Sequence, residues 1–153
     1  MIGKGGLIQV YYTNYYRTDT GLVSDIERAI NGEYSAITCY EQLAGLAPND
    51  QVRNKILEIR NDEIRHFQTF SQIYTSLTGR QPTPHVTEKC PSEYTAGLHF
   101  AFNDEQETVD FYLDVADKAT DPYIKDRFKR ASADEQNHAV WFLYFITSGH
   151  GPR

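Results

Sequence analysis

The sequence predicts an all-α protein, a four-helix bundle with one long crossover between helices 2 and 3. Apolar residues recur with a period near 3.6 along four long segments, and no segment alternates apolar and polar residues as a strand does. Proline and glycine separate the segments, and the second separation is much longer than the other two. With 153 residues, 40% of them hydrophobic, the chain has the size of one ordinary domain and can bury a core.

Local signals set the expected ends of the helices. Pro48 interrupts the chain after the first helix, and Gly79 stands where a helix-ending glycine is expected after the second. Ser92 is a favourable N-cap for the third helix, and Pro122 suits the first turn of the fourth. The predicted helices cover approximately residues 19–46, 50–78, 92–119 and 122–148. Residues 19–149 are therefore expected to form the bundle, and residues 1–18 a Tyr-rich N-terminal tail.

The lengths of the connections predict the topology. The connections between helices 1 and 2 and between helices 3 and 4 are short, so each pair is expected to be antiparallel. The connection between helices 2 and 3 contains Pro82, Pro84 and Pro91. Its roughly 13 residues can reach about 43 Å when extended, and a helix of about 25 residues is roughly 38 Å long. The connection can therefore cross the bundle and set helix 3 parallel to helix 2.

The two halves of the chain repeat each other at an offset of 72 residues. In each half a glutamate is followed 30 residues later by the pattern Glu-x-x-His. Because the spacing i, i+3 places two side chains on one helix face, each Glu-x-x-His can offer both groups to one ion. The matching pairs are Glu33 with Glu105, Glu63 with Glu135, His66 with His138, Tyr40 with Tyr112 and Phe70 with Phe142.

These glutamates and histidines interrupt apolar stripes, where a surface side chain is not expected. Glu33, for example, lies in the series Ile26, Ile30, Ile37 and Tyr40. Four unpaired buried carboxylates would be strongly destabilising, so cations or protons must offset their charge. Two divalent ions would balance four carboxylates, and oxygen and nitrogen ligands suit iron or manganese. The predicted metal ligands are Glu33, Glu63, His66, Glu105, Glu135 and His138, with two Fe ions expected and Mn as the alternative metal.

Further residues are predicted to support these ligands. Asp62 and Asp134 precede the motif glutamates, and each is expected to accept a hydrogen bond from a ligand histidine of another helix. Tyr40 and Tyr112 follow the first glutamate of each half by seven residues, so they either hydrogen-bond a ligand carboxylate or simply pack. Glu107 competes with Glu105 as the ligand from helix 3, but the repeat register favours Glu105. No catalytic residue beyond the metal ligands is predicted.

Bulk properties exclude several classes of function. The net charge is −6 and no basic run is present, so nucleic-acid binding is not expected. No apolar stretch of about 18 residues could span a membrane, and the N-terminal segment is too polar for a signal peptide, so a cytoplasmic location is expected. Cys39 and Cys90 are expected to be free thiols, with a disulfide between them as the alternative.

At these residues the chain resembles the ferritin-like di-iron carboxylate superfamily, and within it the rubrerythrin-type proteins. The resemblance covers about residues 22–148, and it rests on the two Glu…Glu-x-x-His sets and the tyrosines that follow their first glutamates. It implies that the six Glu and His residues bind iron, that the reduced iron pair reacts with hydrogen peroxide or dioxygen, and that the chain forms a homodimer. Two features differ. The chain lacks the four-cysteine rubredoxin domain, and Thr108 stands where rubrerythrins carry an additional glutamate.

Three functions are therefore open at this point. The first is an oxidoreductase that needs an external electron donor, because no four-cysteine centre is present to supply electrons. The second is a ferritin-like protein that oxidises and handles iron. The third is a non-enzymatic bundle whose tail, with Tyr11, Tyr12, Tyr15 and Tyr16, contacts a partner or a second subunit.

Overall fold

The structure is a computed structural model, and it describes residues 19–149. The predicted tail of residues 1–18 lies outside the described part. Four helices are present, and within residues 19–149 there is no strand, so the all-α prediction is confirmed. The helices are α1 (Thr20–Gly45), α2 (Asp50–Thr78), α3 (Tyr94–Lys118) and α4 (Pro122–Ser148). None of these helices is long and apolar enough to cross a membrane.

Side-chain caps and one glycine define several of the helix ends. Asp19 accepts a hydrogen bond from the Gly21 N–H at 3.0 Å, and Asn49 accepts one from Val52 at 3.0 Å. Gly79 ends α2 with φ of 70°, the left-handed conformation that glycine adopts without a steric cost. The predicted N-cap at Ser92 is wrong: α3 begins at Tyr94, and Glu93 precedes it without a side-chain hydrogen bond to the helix.

The four helices pack as a square. α1 packs against α2 and α3 against α4, whereas α1 touches α3 and α2 touches α4 over smaller areas. Across the described residues the backbones of the diagonal pairs stay apart, and only their side chains meet in the interior, as Tyr40 of α1 meets Phe142 of α4. Two apolar cores fill the bundle. One surrounds Phe70, Tyr112 and Phe128, and the other surrounds Tyr40 and Phe142. The predicted polar residues lie between the two cores, midway along the helices.

The crossover follows one face of α1. Asn31 Oδ1 accepts a hydrogen bond from the His85 N–H at 3.1 Å, and Ser35 Oγ accepts one from the Thr87 N–H at 3.0 Å. Gln42 Nε2 donates to the carbonyl oxygen of Pro91 at 3.1 Å. These contacts hold the segment from residue 85 to residue 91, here called the strap, along the helix that carries Glu33.

Cys39 and Cys90 form a disulfide, so the expectation of free thiols is wrong. Their Cα atoms lie 5.2 Å apart, within the range that a disulfide can bridge. The reason is the path of the strap. Cys39 lies on α1 between Ser35 and Gln42, so the hydrogen bonds that hold the strap also bring Cys90 to it.

Breaking this disulfide is expected to lower the free energy of unfolding. The two cysteines are 51 residues apart, and cross-linking a loop of that length is worth roughly 4 kcal/mol in the chain-entropy account. Chemical denaturation with and without a thiol reductant measures the loss. A variant with both cysteines changed to alanine is the control, because its unfolding should not respond to reductant. An unfolding midpoint that stays the same when the intact protein is reduced would contradict this expectation.

Candidate metal centre

The structure brings the six predicted ligands together in the interior. Glu33 comes from α1, Glu63 and His66 from α2, Glu105 from α3, and Glu135 and His138 from α4. All six are buried, and the most exposed of them, His66, keeps only 7% of its surface. Because each lies near the middle of its helix on the inward stripe, the helical period that buries the apolar residues also buries these polar ones.

The six residues form two overlapping groups, each able to hold a metal ion. In each group the candidate ligand atoms lie within 4.8 Å of one another. Glu63 and Glu135 belong to both groups and so lie between the two positions. The first group is completed by Glu33 and His66, and the second by Glu105 and His138.

Each histidine is oriented by an aspartate from another helix. His66 Nε2 lies 3.1 Å from Asp134 Oδ2, and His138 Nε2 lies 3.0 Å from Asp62 Oδ2. Since an ionised carboxylate only accepts hydrogen bonds, Nε2 must carry the proton in both rings. The other nitrogen, Nδ1, faces the glutamates: that of His66 lies 3.0 Å from Glu135 Oε1, and that of His138 lies 2.9 Å from Glu63 Oε1. Once deprotonated, Nδ1 is the atom that can bind a metal.

Arginines hold the two aspartates in turn. Arg65 donates to Asp62, one turn away on α2. Arg130 Nε donates to Asp134 at 3.1 Å. The sequence reasoning missed Arg130, although its spacing of four residues from Asp134 is the usual signal of an ion pair on a helix. Behind each candidate metal position, a histidine, an aspartate and an arginine are therefore hydrogen-bonded in series out to the surface.

Each of the two tyrosines donates a hydrogen bond to a glutamate of the other half of the repeat. The hydroxyl of Tyr40 donates to Glu105 Oε1, and the hydroxyl of Tyr112 donates to Glu33 Oε1. Both tyrosines are about 1% exposed. Burial and the neighbouring glutamates raise the pKa of each phenol well above its usual value, so both stay protonated and keep donating.

Without metal, the cluster holds protons. Burial, together with the charge of Glu63, raises the pKa of Glu33 to about 8. The same two causes raise the pKa of Glu105 and of Glu135. Burial alone would raise the pKa of Glu63 as well, but hydrogen bonds from both histidines hold it below its usual value.

The pKa values of the two histidines are raised, although burial alone would lower them. Burial alone would lower the pKa of His138, but the carboxylates of Glu105 and Glu63 that face its Nδ1 raise it to about 11. The charge of Glu33 and the hydrogen bond to Asp134 likewise outweigh burial and raise the pKa of His66. Protons therefore occupy the metal-free cluster at neutral pH, and an incoming metal has to displace them.

Several buried polar atoms of the cluster lack regular hydrogen bonds and are suited to binding a metal ion. Within residues 19–149, four atoms of the cluster face one another without a hydrogen bond of regular geometry: Glu63 Oε1, Glu105 Oε2, Glu135 Oε1 and His138 Nδ1. Buried polar atoms without partners are rare in folded proteins because each costs free energy. Carboxylate oxygens and an imidazole nitrogen that converge in this way form the donor set that iron and manganese accept.

A cavity of about 500 Å³ leads from the surface between α1 and α3 to this cluster, passing beneath the strap. Glu33, Tyr112 and Glu135 line its inner end. Its outer wall is acidic and includes Glu27, Glu88, Asp104 and Glu107, none of which the sequence reasoning placed there. Burial, then the charges of Glu105 and Glu88, raises the pKa of Asp104 to about 7.

The residues that competed with the predicted ligands lie outside the cluster. Glu107 is exposed on the cavity wall, whereas Glu105 is about 1% exposed and faces the cluster. Thr108 also lines the cavity, and its hydroxyl donates to the carbonyl oxygen of Asp104 at 2.8 Å. The helix-3 position that carries a further glutamate in rubrerythrins proper therefore faces the cavity without adding a carboxylate.

Comparisons with known proteins agree with this geometry. The rubrerythrin family profile matches residues 26–143, which include all six clustered residues. The chain is 55% identical over 131 residues to the uncharacterized protein YhjR of Bacillus subtilis (strain 168), covering 86% of this chain and 90% of that protein. A hypothetical protein from Pyrococcus furiosus has the same fold, with a TM-score of 0.72 at 19% identity over 86% of this chain and 91% of its own. On this evidence the chain belongs to the rubrerythrin family.

Proposed function

We propose that this protein binds two iron ions, with manganese as the alternative, and is an oxidoreductase that reduces hydrogen peroxide or dioxygen with electrons from an external donor. The observation that carries the proposal is the pair of overlapping ligand groups that share Glu63 and Glu135. A single ion would not need two complete groups. Two ions bound side by side would supply the two electrons that convert one hydrogen peroxide to two waters.

In this proposal Glu33 and His66 bind one ion, Glu105 and His138 bind the other, and Glu63 and Glu135 lie between them. Four carboxylates balance two divalent ions, so the reduced centre would carry no net charge. Asp62 and Asp134 keep Nδ1 of each histidine pointed at its ion by holding the proton on Nε2. Tyr40 and Tyr112 restrain Glu105 and Glu33 through their hydroxyl hydrogen bonds.

The shape of the cavity favours a small molecule as the substrate. It reaches Glu33 and Glu135 from solvent, while the rest of the cluster is enclosed by the two apolar cores. A molecule the size of peroxide or dioxygen could reach the cluster by this route, whereas a protein donor could not. Electrons from a protein donor would therefore cross the bundle rather than enter by the cavity, so such a donor and the substrate need not share one opening.

Iron oxidation and handling is a second candidate function, and one observation favours it. The outer wall of the cavity carries Glu27, Glu88, Asp104 and Glu107. Such a wall concentrates cations at the mouth of the route. In that function dioxygen would be the oxidant, and Fe²⁺ would be the substrate as well as the occupant of the site.

Peroxide titration of the reduced, iron-loaded protein separates the two candidates. Without a donor, the oxidoreductase reading predicts that one peroxide oxidises each iron pair and that the reaction then stops. With a reductant present, many turnovers should follow. Absorption spectroscopy of the oxidised centre and assay of residual peroxide measure both quantities. Rapid oxidation by dioxygen with no preference for peroxide would favour iron handling, and a failure to bind two ions per chain would exclude both candidates.

A further inference from the structure

An unbroken series of aromatic rings leads from the surface of α4 to Glu105. Tyr144 is 56% exposed and Trp141 is half-buried. We propose that Trp141 is the surface end of a one-electron relay that delivers electrons to the Glu105 side of the metal centre. The inference rests on the proposed function and adds to it a source for the second electron when peroxide meets a site that can supply only one.

The contacts of the relay are short at every step. The ring centroids of Trp141 and Phe145 lie 6.0 Å apart, and those of Phe145 and Phe142 lie 6.5 Å apart. Phe142 then lies 5.1 Å from Tyr40, whose hydroxyl donates to Glu105. Tyr144 touches both Trp141 and Phe145, at 6.0 Å and 5.9 Å. Such distances are those of packed aromatic pairs, so no gap in the packing interrupts the series.

The internal repeat provides a comparison within the same molecule. Tyr112 and Phe70, which correspond to Tyr40 and Phe142, also touch each other, with centroids 5.3 Å apart. Beyond them the two halves differ. The positions that correspond to Trp141, Tyr144 and Phe145 hold Thr69, Gln72 and Ile73.

Because of this difference, only one half of the repeat offers a path for electrons from the surface. Among the described residues, the ring neighbours of Tyr112 are Phe70, Phe111 and Phe128. A phenyl ring is far harder to oxidise than an indole or a phenol, so the ring contacts of Tyr112 within the described part of the chain reach no exposed indole or phenol. Ile73, at the position that corresponds to Phe145, is buried and aliphatic, so this position of the repeat does not require an aromatic ring. Only the half that ends at Glu105 continues to an indole and an exposed phenol.

The relay and the substrate cavity open on opposite sides of the bundle. The cavity runs between α1 and α3 and ends at Glu33 and Glu135. The Lys55 ammonium of α2 lies 4.5 Å from the centre of the Trp141 ring, so Trp141 sits at the junction of α2 and α4. Because α1–α3 and α2–α4 are opposite sides of the square, a donor at Trp141 leaves the cavity free for substrate.

The electron balance closes with hydrogen peroxide as the oxidant. Reduction of one peroxide to two waters takes two electrons and two protons. Where the site holds a single Fe²⁺, the metal would supply one electron, and Trp141 supplies the other through Phe145, Phe142 and Tyr40. In the same step Trp141 releases its Nε1 proton and becomes a neutral indolyl radical, and solvent supplies the second proton. An external one-electron donor, such as a reduced flavin or iron–sulfur protein, then restores the electron to Trp141, and solvent restores its proton.

The test uses protein loaded with one Fe²⁺ per chain, so that the metal supplies only one of the two electrons that peroxide needs. The second electron must then come from the protein. Trp141 is the sole tryptophan of the chain, which makes a tryptophan radical in freeze-quenched electron paramagnetic resonance unambiguous. Peptide mass spectrometry then locates the stable oxidation product. Wild-type protein should give both signals at Trp141, and metal-free protein should give neither.

Two variants test the path. Phe145→Leu interrupts the series and should abolish the signal at Trp141. Phe128→Leu is the matched control, since it removes an equally buried ring that packs on Tyr112, and it should leave the signal unchanged. Helical content and iron stoichiometry check that each variant is folded and loaded. If Phe145→Leu does not fold, the wild-type protein still decides, because a missing radical at Trp141 overturns the relay.

Other outcomes separate the relay from the function on which it rests. Equal oxidation of Trp141 in wild type and Phe145→Leu, or oxidation scattered over surface residues in both, overturns the relay. If fully loaded wild-type protein is oxidised by peroxide in the same series, the proposed function stands in spite of that result. A fully loaded protein that neither peroxide nor dioxygen oxidises overturns the proposed function, and the relay falls with it.

Discussion

Glu135→Gln is expected to abolish binding at both metal positions and to stabilise the metal-free protein. Glu135 belongs to both ligand groups, so an amide in its place weakens both positions at once. In the metal-free protein the same change removes a buried carboxylate whose pKa is raised by burial and by Glu63. Relieving that cost should increase the free energy of unfolding by about 1–3 kcal/mol. Metal analysis and denaturant unfolding measure the two effects.

Glu107→Gln is the matched control, because it makes the same chemical change on the exposed cavity wall. It should leave the metal content and the stability close to those of the original protein. Asp134→Asn is an intermediate case, since it loosens the orientation of His66, and changes of this kind typically cost about 10- to 100-fold in metal affinity. Full metal content in Glu135→Gln would contradict the assignment of Glu135 to the centre.

Removing the metal is expected to make stability fall steeply as pH rises from 6 to 9. In the metal-free protein the pKa of Glu33 is raised to about 8 and that of His138 to about 11. The folded state therefore holds protons that the unfolded chain releases near pH 4.5 and pH 6.5, respectively. The stability that these protons contribute is complete below those unfolded values and is lost as pH rises toward the folded ones.

Each extra proton held by the folded state costs about 1.4 kcal/mol of stability per pH unit in this range. For a protein of this size, that corresponds to a melting temperature lower by roughly 3–6 °C per pH unit. Bound metal displaces the protons, so the metal-loaded protein should depend far less on pH and should melt at a higher temperature. Melting curves of chelated and loaded protein across pH 6–9 measure the difference. Curves that coincide throughout would refute the coupling of metal to folding.

Features set by residues close together in the chain, such as helix faces and helix ends, were predictable from the sequence. The period near 3.6 places Glu33, Glu63 and Glu105 on the stripes that become buried, and the structure buries all of them. The α2 boundaries were predictable for the same local reason, since Asn49 and Gly79 act on the backbone within a few residues. Ser92 was misjudged because capping propensity is weak: α3 begins two residues later, at Tyr94, without a side-chain cap.

Features that depend on how one helix sits against another were not predictable. The sequence could propose that Asp62 and Asp134 meet histidines, but the pairing of Asp62 with His138 depends on the relative heights of α2 and α4. The disulfide depends on the path of the strap along α1. The cavity is bounded jointly by α1, the strap and α3. None of these contacts leaves a periodic signal, because each joins residues that are far apart in the chain.

By itself, then, the sequence determined the four helices, their order and the identity of the six polar residues that the bundle buries. It could do so because helix periodicity and the internal repeat are local regularities, and because buried carboxylates demand a counter-charge whatever surrounds them. Only the tertiary structure decided that Glu63 and Glu135 are shared between the two groups, and that the two sides of the cluster differ. One side opens to solvent through the cavity and the other ends in an aromatic series. The two halves of the repeat carry different residues at these places, but which of them line a cavity or form a series is decided by packing between helices that are far apart in the chain.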